Sequence, residues 1–490
     1  MIDTPSIDWA GLSPYLALLA GVAVIMLVAP FLPGRLRNGF GAVVALLCLA
    51  GAAGAAIALF ALDDTGSGIV GDSLQRDRLS DLSQVIVCCA GFVTALLGLR
   101  ESDSNERRAE FYALLLSAVG GMAFFVAAND LISLFLGLEW FSISLYIMCA
   151  LTVARLPALE SGLKYLIVGS FSSAVLLFGS ALTFGATGET GFTAIADAAP
   201  NADRTMLVAG LALLIVGLAF KVSAAPFHQW TPDVYEGAAT PVTGFMAAAT
   251  KVAALVLTLR FLTTAFPGEA ELWTITLGVL SAVSLAWGNL AALVQRNIKR
   301  LLAYSSISHA GFLLMPIAAG NALGGRALLY YLIPYAALSL GAFAVVAARE
   351  RELGQPVTLE NISGLGWERP MHGAAMAVFM LGFIGLPPTG LFVGKFYVFS
   401  ALYERGWIWL MILGAVFTAV SIYYYLGVVR SMYTRVGRLA ALPAGGSPPR
   451  DLALDTAIVL SLIVAVGSFF AVDQLIELAR DATSFLPFPF

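Results

Sequence analysis

"LAFKVSAAPFHQWTPDVYEGAATPVTGFMAAATKVAAL" runs from Leu218 to Leu255 and sets two lysines, Lys221 and Lys251, among Ala, Val, Leu, Phe and Met. A strongly hydrated ammonium in such a run needs a reason, and the composition of the whole chain sharpens the question. Of 490 residues, 59% are hydrophobic and 12% are charged, and the mean hydropathy is +0.87. Soluble domains carry about 25% charged residues. Apolar runs of about twenty residues, the length that crosses a bilayer as a helix, recur from end to end. The chain therefore reads as an all-α polytopic membrane protein of about fourteen transmembrane helices.

The runs lie near 12–32, 39–62, 80–99, 108–128, 130–152, 160–186, 204–227, 239–265, 271–294, 299–319, 325–348, 370–403, 407–433 and 452–477. Connections between them are too short for a soluble domain, so residues 1–490 form a single integral membrane unit. The opening MIDTPSIDWAG has no basic stretch ahead of its apolar run, which argues against a cleaved signal peptide. Sixteen basic residues fall on the side reached after odd-numbered spans: Arg35, Arg37, Arg100, Arg107, Arg108, Arg155, Arg296, Lys299, Arg300, Arg349, Arg351, Arg369, Arg430, Arg435, Arg438 and Arg450. The other side carries seven: Arg76, Arg78, Arg204, Arg260, Arg326, Arg405 and Arg480. Basic loops stay cytoplasmic, so both termini are expected outside the cytoplasm.

Several function classes are poorly supported. No basic cluster suggests nucleic acid, and no GxGxxG or Walker-type loop suggests a nucleotide. Cys48, Cys88, Cys89 and Cys149 all fall in apolar segments without CxxC or His spacing, so they read as small buried hydrophobes rather than metal, cluster or disulfide ligands.

The chain has 22 arginines and five lysines. Arginines fall in or beside loops, whereas Lys164, Lys221, Lys251 and Lys395 fall inside predicted spans. Each such charge costs about 2.5–3.5 kcal/mol on insertion scales. Arginine keeps its proton almost anywhere, but a buried lysine can be shifted far enough to titrate near neutrality. Lysine is the basic residue to use where a proton must be held and then released. Lys164, one turn into its span, also fits simple snorkelling to the interface. Glu139, in "LFLGLEWFSISLYIM", is the one carboxylate near mid-membrane, either interhelical glue or half of a proton-handling pair. His309, deep in span ten among Ser305, Ser306 and Ser308, reads as a proton relay or as a hydrogen-bonded core histidine. His228, at the cytoplasmic end of span seven, is a candidate point of proton uptake, and His372 looks peripheral.

Pro226 follows Lys221 by five residues, and "GFIGLPPTGLFVGKFYVF" places Gly385, Pro387, Pro388 and Gly390 just before Lys395. Neither stretch can continue a regular helix. Non-helical backbone at membrane depth is tolerated only inside protein or beside water, and paired breaks in two halves mark transporter ion paths. The breaks are five spans apart, and "FSISLYIM" (141–148) echoes "SSISHAGF" (305–312) at the same interval. An odd interval inverts the second copy. Two inverted five-helix repeats follow, spans four to eight (108–265) and nine to thirteen (271–433), after three N-terminal helices (12–99) and before a last helix (452–477).

"KVSAAPFHQWTPDVYEGAATPVTGFMAAATKVAAL", "QRNIKRLLAYSSISHAGF", "GLEWFSISLYIM" and "GLPPTGLFVGKFYVF" together resemble the subunit N family of the bacterial proton-pumping NADH:quinone oxidoreductase, respiratory complex I. "WTPDVYEGA" followed by "PVT" resembles this family rather than its sisters, subunits L and M; all three are similar to Mrp-type cation/proton antiporters. The resemblance implies fourteen helices, discontinuous helices seven and twelve, and a non-redox role in a proton-translocating oxidoreductase of the inner membrane. It assigns proton transfer to Glu139, Lys221, Lys251 and Lys395, with Lys164 adjusting charge beside Glu139. It places FMN, iron–sulfur clusters and quinone on other subunits, and implies subunit M and small membrane subunits as neighbours. The second half offers no mid-membrane carboxylate to balance Lys395. The competing reading is a stand-alone Mrp-like antiporter; a third is a purely structural subunit.

Overall fold

Inside a bilayer, backbone N–H and C=O groups must be satisfied within the chain, so each apolar run winds into helix. The computed structural model describes residues 6–62, 67–99, 108–434 and 451–490. Arg100, Arg107, Arg435, Arg438 and Arg450, counted above toward orientation, lie outside the described residues. Among the described residues, thirteen helices are long and apolar enough to cross a membrane. The twelfth span completes the expected fourteen as two shorter helices, Pro370–Ile384 and Gly390–Glu404. The protein is an all-α polytopic membrane protein. A short antiparallel hairpin pairs Ser67–Gly68 with Gln75–Arg76 outside the helices.

Span eight (Thr240–Ala265), span ten (Ile298–Ala319) and span eleven (Ala322–Leu353) form the centre and are almost wholly buried. Spans one, two, six, thirteen and fourteen leave most of their surface uncovered, with large apolar side chains such as Leu47, Phe171 and Tyr423 pointing outward. This distribution fixes where a charge can be hidden: the middle stretches of the central helices are almost wholly covered by other helices.

Spans seven and twelve are both broken, and both breaks have the same cause. Helix Arg204–Val222 stops where Ser223 turns left-handed at φ 65°, ψ 34°, and helix Pro370–Ile384 stops where Gly385 does so at φ 84°, ψ 54°. Pro226 in one case, and Pro387 with Pro388 in the other, prevent the helix from resuming at once. Each break leaves terminal carbonyls without intrahelical partners at membrane depth. Span seven then continues as a second helix, Trp230–Gly237, whose Trp230 indole donates to the Phe220 carbonyl at 3.3 Å across the break. The expected end of this span at residue 227 is therefore corrected. Its second half escapes hydropathy because eight residues including Asp233 and Glu236 do not form an apolar run. Span eight carries its own irregularity, a π-helical stretch at Met246–Thr250 immediately before Lys251. Single π turns of this kind gather at functional sites.

Spans nine (Pro267–Ala292) and ten press together on backbone. A Cβ on Gly288 would lie 2.5 Å from the Ser308 nitrogen and 2.8 Å from the Tyr304 carbonyl oxygen. Neither atom can swing aside, so Gly288→Val should cost about 1–3 kcal/mol, the range for overpacking, and lower the melting temperature of the purified protein in detergent. Gly467→Ala, where a Cβ meets nothing within 4 Å, is the control and should melt as wild type. Equal melting of the two variants would refute the close-packing argument.

Candidate functional site: buried lysines beside the two helix breaks

Lys221 is 2% exposed, and its ammonium donates to the Ser142 hydroxyl on span five at 2.7 Å. Ser142 passes its own proton toward the Leu138 carbonyl. The rest of the ammonium is walled by aromatic rings, with Phe141, Tyr146, Tyr165 and Phe220 centred 5.4–5.6 Å away. Ring faces stabilise a cation without neutralising it. Trp230, stacked on Tyr165 at 4.5 Å, ties this wall to the second half of span seven.

Lys251 is 1% exposed and reaches across to the break. Its ammonium donates to the Val222 carbonyl and to the Ser306 carbonyl, each at 2.8 Å. Val222 is the last residue of the first half of span seven, so the ammonium closes a helix C-terminus, the negative end of the helix dipole. Lys395 repeats the device on span twelve. Its ammonium donates to Ile384 O at 2.8 Å and Phe383 O at 3.2 Å, the final carbonyls of Pro370–Ile384. Thr418 Oγ1 lies at 3.4 Å and the Phe312 ring at 4.5 Å. The search for an anion to balance Lys395 thus ends in backbone carbonyls rather than a carboxylate.

His309 lies within the same half. Its Nδ1 hydrogen-bonds to Tyr331 Oη at 2.9 Å and its Nε2 to Tyr425 Oη at 3.2 Å. Tyr425 also shares a close hydroxyl contact with Ser305, and its ring stacks on Phe383 at 5.6 Å. Ser306, whose carbonyl holds Lys251, meets Tyr335 Oη at 3.1 Å. Spans ten, eleven and thirteen therefore place hydroxyls and one imidazole between the two carbonyl-capped lysines.

Residues 128–421 match the family described as NADH:quinone oxidoreductase/Mrp antiporter, TM. The chain belongs to that family. A curated relative from Trichlorobacter lovleyi, named NADH-quinone oxidoreductase subunit N, is 40% identical over 422 residues, which is 84% of this chain and 85% of the relative. A chain of respiratory complex I from Thermus thermophilus, solved with bound aureothin, superposes with a TM-score of 0.80 at 32% identity, covering 95% of this chain and 99% of that one. A chain of the Mrp complex from a Dietzia species superposes at 0.85 with 19% identity over 98% and 97% of the two chains, a likeness of fold.

In this family member the remaining expected residues are placed less centrally. Glu139 accepts a hydrogen bond from the Ser173 hydroxyl of span six and is partly exposed. Lys164, 44% exposed, turns to Glu160 at 2.7 Å and Asp233 at 2.9 Å. Asp233 in turn accepts from Arg300 at 2.7 Å, so Lys164 joins a charged cluster near the span ends. His228 lies in the break of span seven itself, not at the end of the span, because the helix Trp230–Gly237 follows it. It is 7% exposed, 5.5 Å from the Trp287 ring, and its Nδ1 has no partner among the described residues. His372 bonds Asp455 at 2.8 Å near the start of the last span. Among the described residues no three His, Cys, Asp or Glu side chains are grouped to hold a metal.

Several other cations assigned to loops are also buried, among them Arg76, Arg349, Arg260 and Lys299. Arg260 forms a two-pronged pair with Asp77, at 2.6 and 2.7 Å, with side chains 3% and 1% exposed. Lys299, also 2% exposed, donates to the Ala238 carbonyl at 2.7 Å. Their partners lie 183 and 61 residues away in the chain. Position relative to the apolar run was the only signal available, and it points outward for both.

Proposed function

We propose that this chain is subunit N of a bacterial proton-pumping NADH:quinone oxidoreductase, a non-redox subunit that carries protons through the inner membrane. One observation carries the reading. Lys221, Lys251 and Lys395 are buried at membrane depth, and the hydrogen bonds they make run to hydroxyls and backbone carbonyls, not to carboxylates. A carboxylate partner would pin each ammonium in its charged form. Carbonyls and ring faces hold the cation, yet leave no stranded anion when the proton departs. Each lysine can therefore alternate between ammonium and amine at modest cost.

Quinone reduction on other subunits would alter the charge near Glu139, on the side of spans five and six. Lys221 senses that change across Ser142, and Lys251 lies past the break at Val222. Protons then pass the hydroxyls of Ser306, Tyr335 and Tyr425 with His309 to reach Lys395. His228, buried in the first break, would exchange protons with water there. The twin breaks, each capped by a lysine, support two inverted repeats over 108–265 and 271–433. The aligned serines Ser142 and Ser306 both serve a lysine, one by hydroxyl and one by carbonyl.

The excess of basic residues beside odd-numbered span ends supports cytoplasmic loops there and periplasmic termini. FMN, iron–sulfur clusters and quinone would belong to other subunits. The uncovered apolar faces of spans one, two, six, thirteen and fourteen suit subunit M, small membrane subunits and lipid. The test is affinity purification of the tagged chain in mild detergent, followed by reconstitution and assay of NADH oxidation, quinone reduction and proton uptake together. All three activities are expected in the purified material. A chain that purifies alone, with cation-driven proton exchange and no redox activity, would establish the antiporter reading instead.

A further inference from the structure

Basic residues in this protein divide by chemistry. Where a buried cation has a carboxylate as its closest partner, it is arginine: Arg260 with Asp77 at 2.6 Å and Arg349 with Glu368 at 2.7 Å. Where the close partner is a hydroxyl or a carbonyl, the cation is lysine: Lys221, Lys251 and Lys395. Lys299 falls in the second group. Its ammonium donates to the Ala238 carbonyl at 2.7 Å, just past the end of the helix Trp230–Gly237. Glu350 Oε1 stands off at 3.9 Å. A structural tie at this point would be served as well by arginine, which keeps its charge and grips a carboxylate with two prongs.

We propose that Lys299 and Glu350 form a proton-receiving pair at the face of the membrane where the second half of span seven ends. The inference rests on the proton-translocating reading given above and adds to it the place where protons are taken up. Glu350 has two different faces. Its side chain is 18% exposed, so it meets water, while Oε1 looks inward to Lys299, whose side chain is 2% exposed. Oε2 accepts from the Thr240 hydroxyl at the start of span eight. A carboxylate that touches water and faces a buried amine can pick up a proton and hand it inward, Glu350 returning to its anion as Lys299 becomes ammonium. No other reactant is needed.

Span ten supplies the continuation. Lys299 and Ser306 are seven residues apart on it, hence on one face and about 10 Å apart along the axis. The Ser306 carbonyl is one of the two that hold Lys251. One helix face therefore connects the receiving pair to the central lysine. Among the described residues, other charged groups near this end pair with one another: Arg300 with Asp233 and Glu236, Lys164 with Glu160 and Asp233, Arg296 with Glu360, Arg349 with Glu352 and Glu368, Arg369 with Glu352, and Arg351 with Asp451.

The experiment uses the whole complex, reconstituted in vesicles, with Glu350→Gln, Lys299→Arg and Lys251→Ala. Glutamine keeps the shape of Glu350 and can still meet Thr240 but cannot carry a proton. Arginine keeps the charge of Lys299 but cannot release it. Each is expected to lower proton yield per NADH oxidised at least tenfold, and Glu350→Gln should flatten the dependence of pumping on pH at the receiving face. Wild-type yield and pH profile in an assembled Glu350→Gln or Lys299→Arg complex overturns the inference. If Lys251→Ala also pumps normally, the translocation reading falls with it. If Lys251→Ala is defective while both other variants are normal, the receiving pair alone is rejected.

Discussion

A Lys251→Ala chain should assemble into its complex, support electron transfer, and lose at least nine-tenths of its proton translocation. The expectation follows from what the ammonium touches. It is 1% exposed and bridges Val222 O and Ser306 O, so it joins the first helix break to span ten. Removing it deletes the proton carrier at the point where the two halves meet. A tenfold loss corresponds to about 1.4 kcal/mol in the barrier, small beside the cost of moving a proton across an apolar gap without a carrier. Stability should respond differently. The truncation leaves two carbonyls without their donor, at about 1–3 kcal/mol for an unsatisfied buried group, but it also removes a buried charge. Exchanging buried charge for apolar volume is often neutral or stabilising, so Lys251→Met, which fills the space, should melt within a few degrees of wild type while pumping as poorly as Lys251→Ala. Proton yield per NADH in vesicles, read beside thermal melting of the same preparation, checks both halves. Normal yield from an assembled Lys251→Met complex would remove Lys251 from the pathway.

The count of spans was legible because it depends on length and apolarity, and both breaks were legible because Pro226, Pro387 and Pro388 forbid regular helix whatever surrounds them. Lys221, Lys251 and Lys395 were legible because a lysine in an apolar run is anomalous on its own. Partners were a different matter. A search for anions could not find the Val222, Phe383 and Ile384 carbonyls, since every residue has a carbonyl and only the helix end makes one available. Nor could it see that Lys164 turns toward Asp233, which belongs to a helix that hydropathy does not register. Lys299 and Arg260 were read as loop charges because each stands near the end of an apolar run. Burial there comes from Ala238, Glu350 and Asp77, residues brought close only by packing. Local rules locate helices, breaks and anomalies. Long-range contacts decide which anomaly is carrier and which is tie.

Asp77→Asn should show the difference between the two and produce the larger loss of stability. Asp77 does two jobs. It caps the third span, accepting from the Ser80 backbone N–H at 2.8 Å, and it balances the Arg260 guanidinium, which also donates to the Ser80 hydroxyl at 2.8 Å. Asparagine is as good a helix cap as aspartate, so the substitution keeps the first job and removes only the charge. Arg260 would then be a cation 2% exposed without its two-pronged partner, with Asp81 the carboxylate left nearby, and breaking one side of a buried pair costs about 3–5 kcal/mol. A sharp drop in melting temperature, or failure of the chain to accumulate in membranes, is expected. Arg260→Met added to Asp77→Asn should restore much of it, because an apolar replacement leaves no uncompensated charge. The rescued double variant should also pump at near wild-type yield, since Arg260 and Asp77 hold a fixed pair and exchange no proton with the lysines. Wild-type melting of Asp77→Asn would show that the pair contributes little. A rescued double variant that assembles but fails to pump would place Arg260 and Asp77 on the proton path and erase the division between arginine as tie and lysine as carrier.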